Sequence, residues 1–253
     1  GGGWYWRFSE QRQESHRLHQ DALTACTEAV DQNSTAQKTL AKALADAKSA
    51  QSITADQVAD GATIDTLKKA IAAVKNVEAV ACKTSASTSD LQEYAKTATS
   101  QTKTAKKNAT AITAAAKAVT DSKNAKDQAN AQQALQGKIA EAQTLLDNSL
   151  YAVDDNSTRV TLESDIANAN TVLSQQGTDV KAMQDAVNTL TASMANYSAA
   201  VEAQREAARQ KALNDYYARL RQQQLLQQQQ QTQPDGTGDQ GTKLGTDDQE
   251  TKP

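Results

Sequence analysis

Residues 180–201, VKAMQDAVNTLTASMANYSAAV, decide the fold that the sequence predicts. The larger apolar side chains of this stretch recur at alternating steps of three and four residues: Val180, Met183, Val187, Leu190, Met194, Tyr197 and Val201. This spacing places them along one stripe of an α-helix, which is the contact face of a helix packed lengthwise against others. The stretch therefore predicts a helix that belongs to a bundle.

Two shorter runs with the same spacing precede this helix, over residues 135–153 and 162–173. Residues 154–157 (Asp-Asp-Asn-Ser) and 176–179 (Gln-Gly-Thr-Asp) separate the three runs. Short polar side chains of this kind accept hydrogen bonds from the free N–H groups at the start of a helix, so both separators predict helix caps and turns. Helices joined by short turns alternate in direction, so the three runs predict an antiparallel three-helix bundle.

The first half of the chain repeats this plan. Its apolar runs begin at Leu23, Ile64 and Leu91, and we expect turns at residues 52–61 and 85–90. Asn33 and Gln37 interrupt the apolar stripe of the first run.

An internal repeat supports this division. Residues 63–77 resemble residues 159–173, with Leu67 and Ile71 corresponding to Leu162 and Ile166. Repetition at this scale indicates one helical unit that is used twice.

Residues 120–130, between the halves, contain neither proline nor glycine. We therefore expect one long helix, from about Asp90 to Ala152, to belong to both bundles. At about 1.5 Å per residue it would be on the order of 90 Å long. The alternative is a break at Thr120-Asp121-Ser122. The predicted fold is all-α: an elongated rod of two consecutive antiparallel three-helix bundles that share a long central helix.

Aromatic residues are concentrated ahead of the first predicted helix. Trp4, Tyr5, Trp6 and Phe8 are four of the nine aromatic residues in the chain. Trp and Tyr favour the layer where a membrane span meets water. No apolar run reaches the roughly 18 residues that cross a bilayer, so we hypothesise that a membrane helix preceded residue 1 and was removed. The alternative is an aromatic cluster that packs on the first helix or is disordered.

The sequence thus predicts four segments. Residues 1–8 are a juxtamembrane segment, 9–120 the N-terminal bundle and 121–226 the C-terminal bundle with an extended last helix. Residues 227–253 form a Gln-rich, low-complexity tail, which we expect to be disordered because it has too little apolar surface to bury.

Composition excludes some function classes. The chain carries 27 basic and 30 acidic residues, with both signs interspersed. No basic stripe with interleaved aromatic residues is present, so we expect no nucleic-acid binding. Alanine is abundant and buries little area per residue, so we expect a thin and drawn-out core.

Cys26 and Cys82 are the only cysteines. Their midpoint, residue 54, falls inside the predicted turn at residues 52–61, so an antiparallel hairpin brings them to similar heights on neighbouring helices. We predict a disulfide worth about 3–4 kcal/mol by loop closure, and hence an oxidising, extracytoplasmic location. The alternative is two free thiols in the core.

Catalytic and metal-binding patterns are weak. His16 and His19 lie three residues apart with Glu14 nearby, but no third histidine or cysteine completes a metal site, so we expect two exposed helix residues. Neither a G-x-S-x-G motif nor a glycine-rich phosphate loop is present. Asp154-Asp155 is better explained as a helix cap than as an acid–base pair. We predict no enzyme activity, no cofactor and no metal.

A candidate partner surface lies on the last helix, beyond the second bundle. It consists of Leu213, Tyr216, Tyr217 and Leu220. Four basic residues flank it: Arg209, Lys211, Arg219 and Arg221. The surface would contact a partner or another copy of the chain; the alternative is that it packs back onto the early helix around Leu18.

Three motifs of the second half follow one another at short intervals. They are I-x-x-A-x-x-L-L at residues 139–146, L-x-x-x-I-x-x-A-x-x-V-L at 162–173 and V-x-x-M-x-x-A-V-x-x-L at 180–190, ending near Tyr197. This pattern resembles the FIVAR module, a short three-helix unit found in tandem in surface proteins of Gram-positive bacteria. Residues 23–119 are similar but degenerate, with an enlarged first connector and the two cysteines.

The resemblance implies a stalk or adhesive module on the cell exterior, in some cases engaging matrix glycoproteins or polysaccharide. The chain lacks the C-terminal L-P-x-T-G wall-sorting motif of many such proteins, and an N-terminal membrane anchor would replace it.

We therefore expect a membrane-anchored, extracellular surface protein without catalysis that binds a protein or glycan partner through its helix faces. The alternatives are a structural spacer without a specific ligand and a cytoplasmic coiled-coil scaffold with reduced cysteines.

Overall fold

A computed structural model describes residues 2–175, 177 and 179–232. This part of the chain forms α-helices, one short 3₁₀ turn at Ala55–Gln57 and no β-strand. The helices are α1 (Gly3–Asp46), α2 (Lys48–Gln51), α3 (Ala62–Ala72), α4 (Thr88–Asn148), α5 (Ser157–Ser174) and α6 (Val180–Gln231). The predicted all-α class is confirmed.

Helix α4 runs without interruption for 61 residues. It includes residues 120–130, so the prediction of one long helix is confirmed and the alternative of a break at Thr120–Ser122 is wrong. The two prolines of the sequence, Pro234 and Pro253, lie elsewhere. Alanine, lysine and glutamine, which are strong helix formers, make up about half of the helix.

The chain divides into two compact units. The first comprises Gly1–Gly137 and Val172–Asp185, and the second comprises Lys138–Thr171 and Ala186–Pro253. The segment boundaries predicted after residues 8, 120 and 226 stay predictions.

The core of the first unit joins α1, α3 and α4. Its main cluster contains Ala36, Leu40, Ala43, Ala47, Ala50, Val58, Ile64, Leu67, Ala105, Ala109, Ile112, Ala115 and Val119. More than half of these residues are alanines, as the composition predicts. The aliphatic side chains of the stripe that begins at Leu91 are buried, with Leu91, Ile112 and Val119 fully covered. Tyr94, on the same predicted stripe, is exposed.

The segment that follows α3 differs from the prediction. Helix α3 ends at Ala72, and residues 74–87 contain no regular helix, so Cys82 lies on an irregular segment rather than on a neighbouring helix. Val74, Val77 and Val80 fall here, and β-branched side chains lower helix propensity. We call residues 74–87 the connecting segment.

Three long-range contacts hold the connecting segment against α1 and α4. Cys82 forms the predicted disulfide with Cys26, with Cα atoms 5.9 Å apart. The Gln101 side chain donates from Nε2 to the carbonyl oxygen of Glu78 (3.1 Å). The His19 Nε2–H donates a hydrogen bond to the carbonyl oxygen of Ala86 (2.9 Å). The disulfide is confirmed, although the helix that was expected under Cys82 is not.

The polar residues that interrupt the apolar stripe of α1 bond to one another. Asn33 is buried, and its Nδ2 donates to Oε1 of Gln101 on α4 (2.8 Å). Gln37 Nε2 donates to Oδ1 of Asn33 (3.2 Å). The buried Asn33 amide therefore has partners for both its nitrogen and its oxygen, which removes most of the cost of placing it in the core.

In the second unit the largest fully buried side chain is Tyr197 of α6. Its hydroxyl donates to the carbonyl oxygen of Ser149 (3.0 Å) and lies 2.7 Å from the Ser149 hydroxyl. The Arg159 guanidinium on α5 donates to the same Tyr197 oxygen (3.1 Å) and to the Leu146 carbonyl (3.3 Å). One tyrosine hydroxyl thus links the end of α4, the start of α5 and the middle of α6.

A second contact shows how α5 and α6 pack. The Ser193 hydroxyl of α6 donates to the Asp165 carboxylate of α5. Between the Arg159–Tyr197 contact and this one, the residue number rises on α5 and falls on α6, so the two helices are antiparallel. These contacts are consistent with a helical bundle, as the sequence predicts.

Reduction of the disulfide should selectively loosen the first unit. Because the bond closes a loop of 56 residues, its loss should lower the free energy of unfolding by about 3–4 kcal/mol. Hydrogen exchange followed by mass spectrometry, with and without reductant, should show faster exchange in α1 and the connecting segment. Residues 157–171 in the second unit are the internal control. The prediction would be contradicted if reduction accelerated hydrogen exchange equally there, or if it accelerated exchange in neither unit.

Tyr197→Phe should destabilise the second unit. The substitution keeps the ring but leaves the Arg159 and Ser149 groups without their shared partner, which costs about 1–2 kcal/mol. Urea unfolding followed by circular dichroism measures the change. Tyr216→Phe is the matched control, because the Tyr216 side chain is about half exposed (55%) and its loss of a hydroxyl should leave the midpoint unchanged.

Candidate functional site

The four N-terminal aromatic residues lie on α1 itself, not ahead of the first helix as the sequence analysis expects. Helix α1 begins at Gly3, and no proline or further glycine interrupts it before Asp46. Nothing in the local sequence therefore stops the helix from extending toward residue 3. We call Trp4, Tyr5, Trp6 and Phe8 the aromatic collar.

The collar makes no contribution to the core. Trp4, Tyr5 and Trp6 are 81%, 85% and 73% exposed, and Phe8 is 56% exposed. These rings are therefore largely open to solvent in the described part of the chain, and the membrane-interface role of the four residues stays a prediction. The only ring contact of the collar in the described residues is with a cation: the Arg12 guanidinium lies 5.9 Å from the centre of the Phe8 ring.

The two histidines have different surroundings. His16 is exposed, as predicted, whereas His19 is half-buried and bonds to the connecting segment through Ala86. Among the described residues, no group of three or more His, Cys, Asp or Glu side chains is arranged to hold a metal ion. The role of His19 that the structure shows is to fix a segment whose backbone lacks regular hydrogen bonding.

The Asp154-Asp155 pair serves the start of α5. Asp155 Oδ1 accepts a hydrogen bond from the Ser157 N–H (2.9 Å), and this bond lowers the pKa of the Asp155 carboxyl. Asp154 Oδ2 accepts a hydrogen bond from Gln204 Nε2 (2.9 Å). The predicted cap is confirmed at Asp155, and the two carboxylates bond to separate partners.

Helix α6 continues far beyond the core of its unit. Val201 is its last buried residue, and from Glu202 to Thr232 every side chain is exposed except the half-buried Gln204 and Leu220. We call residues 202–231 the free part of α6. The candidate partner surface lies here: Leu213, Tyr216 and Tyr217 are about half exposed, and the rings of Tyr216 and Tyr217 meet edge to face at 5.6 Å.

The partner surface does not continue the buried stripe of α6. At about 100° per residue on an ideal helix, the stripe of Leu213, Tyr216 and Leu220 is rotated by roughly a third of a turn from that of Leu190, Tyr197 and Val201. The apolar residues beyond the core therefore do not extend the packing face of the bundle.

The charges around the partner surface are only partly paired. Arg209 bonds to Glu206 and Glu202, which raises the pKa of its guanidinium, and Lys211 pairs with Asp215 (3.0 Å). Arg219 and Arg221 form no ion pair within the described part of the chain. The end of the surface next to Tyr216 and Tyr217 therefore carries two uncompensated positive charges.

No family model, curated protein or solved structure matches this chain. The FIVAR-like resemblance accordingly stays a prediction. None of the helices in residues 2–175 and 179–232 combines the length and apolarity needed to cross a bilayer.

The cap at Asp155 predicts a pH-dependent stability of α5. The pKa of Asp155 is lowered in the folded state from its ordinary value of 3.8, so the stabilisation is present above that value and is lost as the pH falls through the lowered pKa. Asp155→Ala should destabilise the second unit at about pH 7, with the difference from wild type shrinking toward about pH 2. Urea unfolding at both pH values tests this.

Asp155→Asn is the matched control, because it keeps an oxygen acceptor for the Ser157 N–H but carries no charge. The difference in free energy of unfolding between Asp155→Asn and Asp155→Ala should not depend on pH. A constant difference between wild type and Asp155→Ala at both pH values would contradict the assignment.

Proposed function

We propose that this chain is a non-catalytic interaction module of an extracellular cell surface, anchored to a membrane near its N-terminus. In this proposal the free part of α6 binds a protein or glycan partner. The observation that carries the proposal is the apolar stripe of the exposed Leu213, Tyr216 and Tyr217 and the half-buried Leu220, which lies beyond the last buried residue of the helix.

The composition of the stripe favours binding. Tyrosine offers a large ring of low conformational entropy with a hydrogen-bonding hydroxyl, and Tyr and Arg are enriched among the residues that dominate binding energy. Tyr216 and Tyr217 already contact each other, so part of the ordering cost is met before a partner arrives. A partner surface built of rings and apolar carbons would complement this stripe.

The unpaired arginine charges further restrict the chemistry that a partner can have. Arg219 and Arg221 flank the tyrosines without an acidic counterpart in the described residues. A partner with carboxylate or sulfate groups beside an apolar or sugar-ring face would satisfy both the charges and the rings. Acidic protein segments and acidic glycans both have this chemistry.

The disulfide supports an extracytoplasmic location. Cys26 is fully buried and Cys82 half-buried in the first unit, where the bond ties the connecting segment to α1. Such bonds form and persist in oxidising compartments. In a cytoplasmic scaffold, the alternative, the same cysteines would be kept reduced and the connecting segment would lose a main attachment.

The exposed collar supports membrane anchoring. Trp and Tyr rings that are not covered by protein favour the bilayer interface, where the ring is shielded and its polar atom stays hydrated. A bacterial origin rests on the FIVAR resemblance alone. The 61-residue helix α4 also suits a structural spacer, the second alternative, for which the stripe on α6 would have no ligand.

Arrays of acidic glycans and extracellular-matrix proteins separate these functions. Wild-type protein should bind a subset of the array, and Tyr216→Ser/Tyr217→Ser should weaken that binding at least tenfold, which corresponds to about 1.4 kcal/mol. Gln222→Ser/Gln229→Ser is the matched control, because these exposed polar residues lie on another side of the same helix. The control should bind as wild type does.

Two outcomes would count against the proposal. Absence of any specific binding would favour the spacer. Binding that the tyrosine substitutions leave unchanged would show that a different surface carries the interaction.

A further inference from the structure

The rings of the aromatic collar are spread over more than half of the circumference of α1. Successive helical residues are about 100° apart, so Trp4 and Phe8 point to nearly the same side, Tyr5 lies about a quarter of a turn away, and Trp6 points to the opposite side. The four positions span only about 6 Å along the helix axis. The collar is therefore a short aromatic band that covers opposite sides of the helix rather than a stripe along one side.

A one-sided partner does not fit this arrangement. A helix that packs on a groove, on another helix or flat on a membrane has one apolar stripe along its length. In each case Trp6 or the Trp4–Phe8 pair would face water. Exposed fractions above one half for all four rings show that the chain itself does not enclose them.

A bilayer interface that the helix crosses encloses all four rings at once. The interfacial region on each side of the hydrocarbon core is about 5–8 Å thick, which matches the axial span of the collar. Trp and Tyr favour this layer. The surroundings are then the same on every side of the helix, so the direction of each ring no longer matters.

The charges near the collar suit phosphate groups. Arg7 lies within the collar and forms no ion pair in the described residues, and Arg12 lies beside the Phe8 ring. Glu10 is the single acidic residue from Gly2 to Gln13. Arginine side chains extend along apolar surface and place the guanidinium among lipid phosphates.

We propose that the aromatic collar is a phospholipid-binding site that lies in the headgroup layer with the axis of α1 crossing that layer. Trp4, Tyr5, Trp6 and Phe8 all sit at one depth, and Arg7 and Arg12 contact lipid phosphates. The inference rests on the membrane anchoring in the proposed function and names its site, its ligand and its orientation; it does not depend on the partner surface of α6.

Tryptophan fluorescence tests the proposal directly, because both tryptophans of the chain belong to the collar. Trp4→Phe leaves Trp6 as the only reporter, and Trp6→Phe leaves Trp4. With vesicles of phosphatidylcholine and phosphatidylglycerol, both variants should show a blue shift of the emission. Lipids brominated at different acyl positions should quench both reporters with the same depth profile.

Each contrary result overturns a defined part of the proposal. A blue shift of the Trp4 emission without one of the Trp6 emission would mean that α1 lies flat on the membrane. Absence of a blue shift from both tryptophans would mean that the collar does not bind lipid. If the emission shifts to the blue in the absence of vesicles, and this shift increases with protein concentration, a second copy of the chain covers the rings. Equal partition into vesicles with and without phosphatidylglycerol would overturn the role of Arg7 and Arg12, since about 1 kcal/mol per arginine predicts a difference of roughly fivefold or more.

Two variants separate this inference from the proposed function. Trp4→Ser/Trp6→Ser should lower sedimentation with vesicles at least tenfold and leave array binding unchanged. Tyr216→Ser/Tyr217→Ser should do the reverse, since it removes two rings from α6 and none from the collar. Loss of vesicle binding in the α6 variant would show that the lipid contact is not specific to the collar.

Discussion

The small size of alanine is the constraint on which the rest of this structure depends. More than half of the main core cluster of the first unit is alanine, and each buried methyl group contributes little because hydrophobic stabilisation scales with the area removed from water. A stable core of this kind needs many contacts in series along long helices. Helices of 44, 61 and 52 residues for α1, α4 and α6 are the consequence.

An alanine-rich core defines the register of its helices weakly. If one helix slides along another, alanine contacts are replaced by equivalent alanine contacts. Directional contacts supply what the apolar stripe lacks: the Asn33–Gln101 amide pair and the Cys26–Cys82 bond in the first unit, and the Tyr197 hydroxyl in the second. A buried polar residue with a single matching partner favours one register over its neighbours. The polar interruptions of the stripe thus have a structural use.

The sequence predicted the helices wherever their own spacing carried the signal, and missed what long-range contacts decide. The stripes from Leu91 to Val119 and from Met183 to Val201 are buried largely as expected. The connecting segment is held mainly by hydrogen bonds to its backbone carbonyls and by the sulfur atom of Cys82. Every residue has a backbone carbonyl, so the sequence does not show which of them accept these bonds. The start of α1 also differs from the prediction, although neither proline nor a further glycine follows Gly3 before Asp46.

The two candidate surfaces differ in a way that packing alone does not explain. Both lie on helical turns without buried residues. On α6 the partner surface lies on one side of the helix, with rings and arginines together, whereas Leu225 and Leu226 further along are exposed on other sides. A one-sided surface suits a partner that approaches from one direction. On α1 the four rings are spread over more than half of the helix circumference within about 6 Å along the axis. A bilayer interface is uniform around a helix that crosses it, and this is the surrounding in which we propose that all four rings are used. In these two proposals the angular distribution of the Trp, Tyr, Leu and Arg side chains, rather than their chemistry, distinguishes the two kinds of partner.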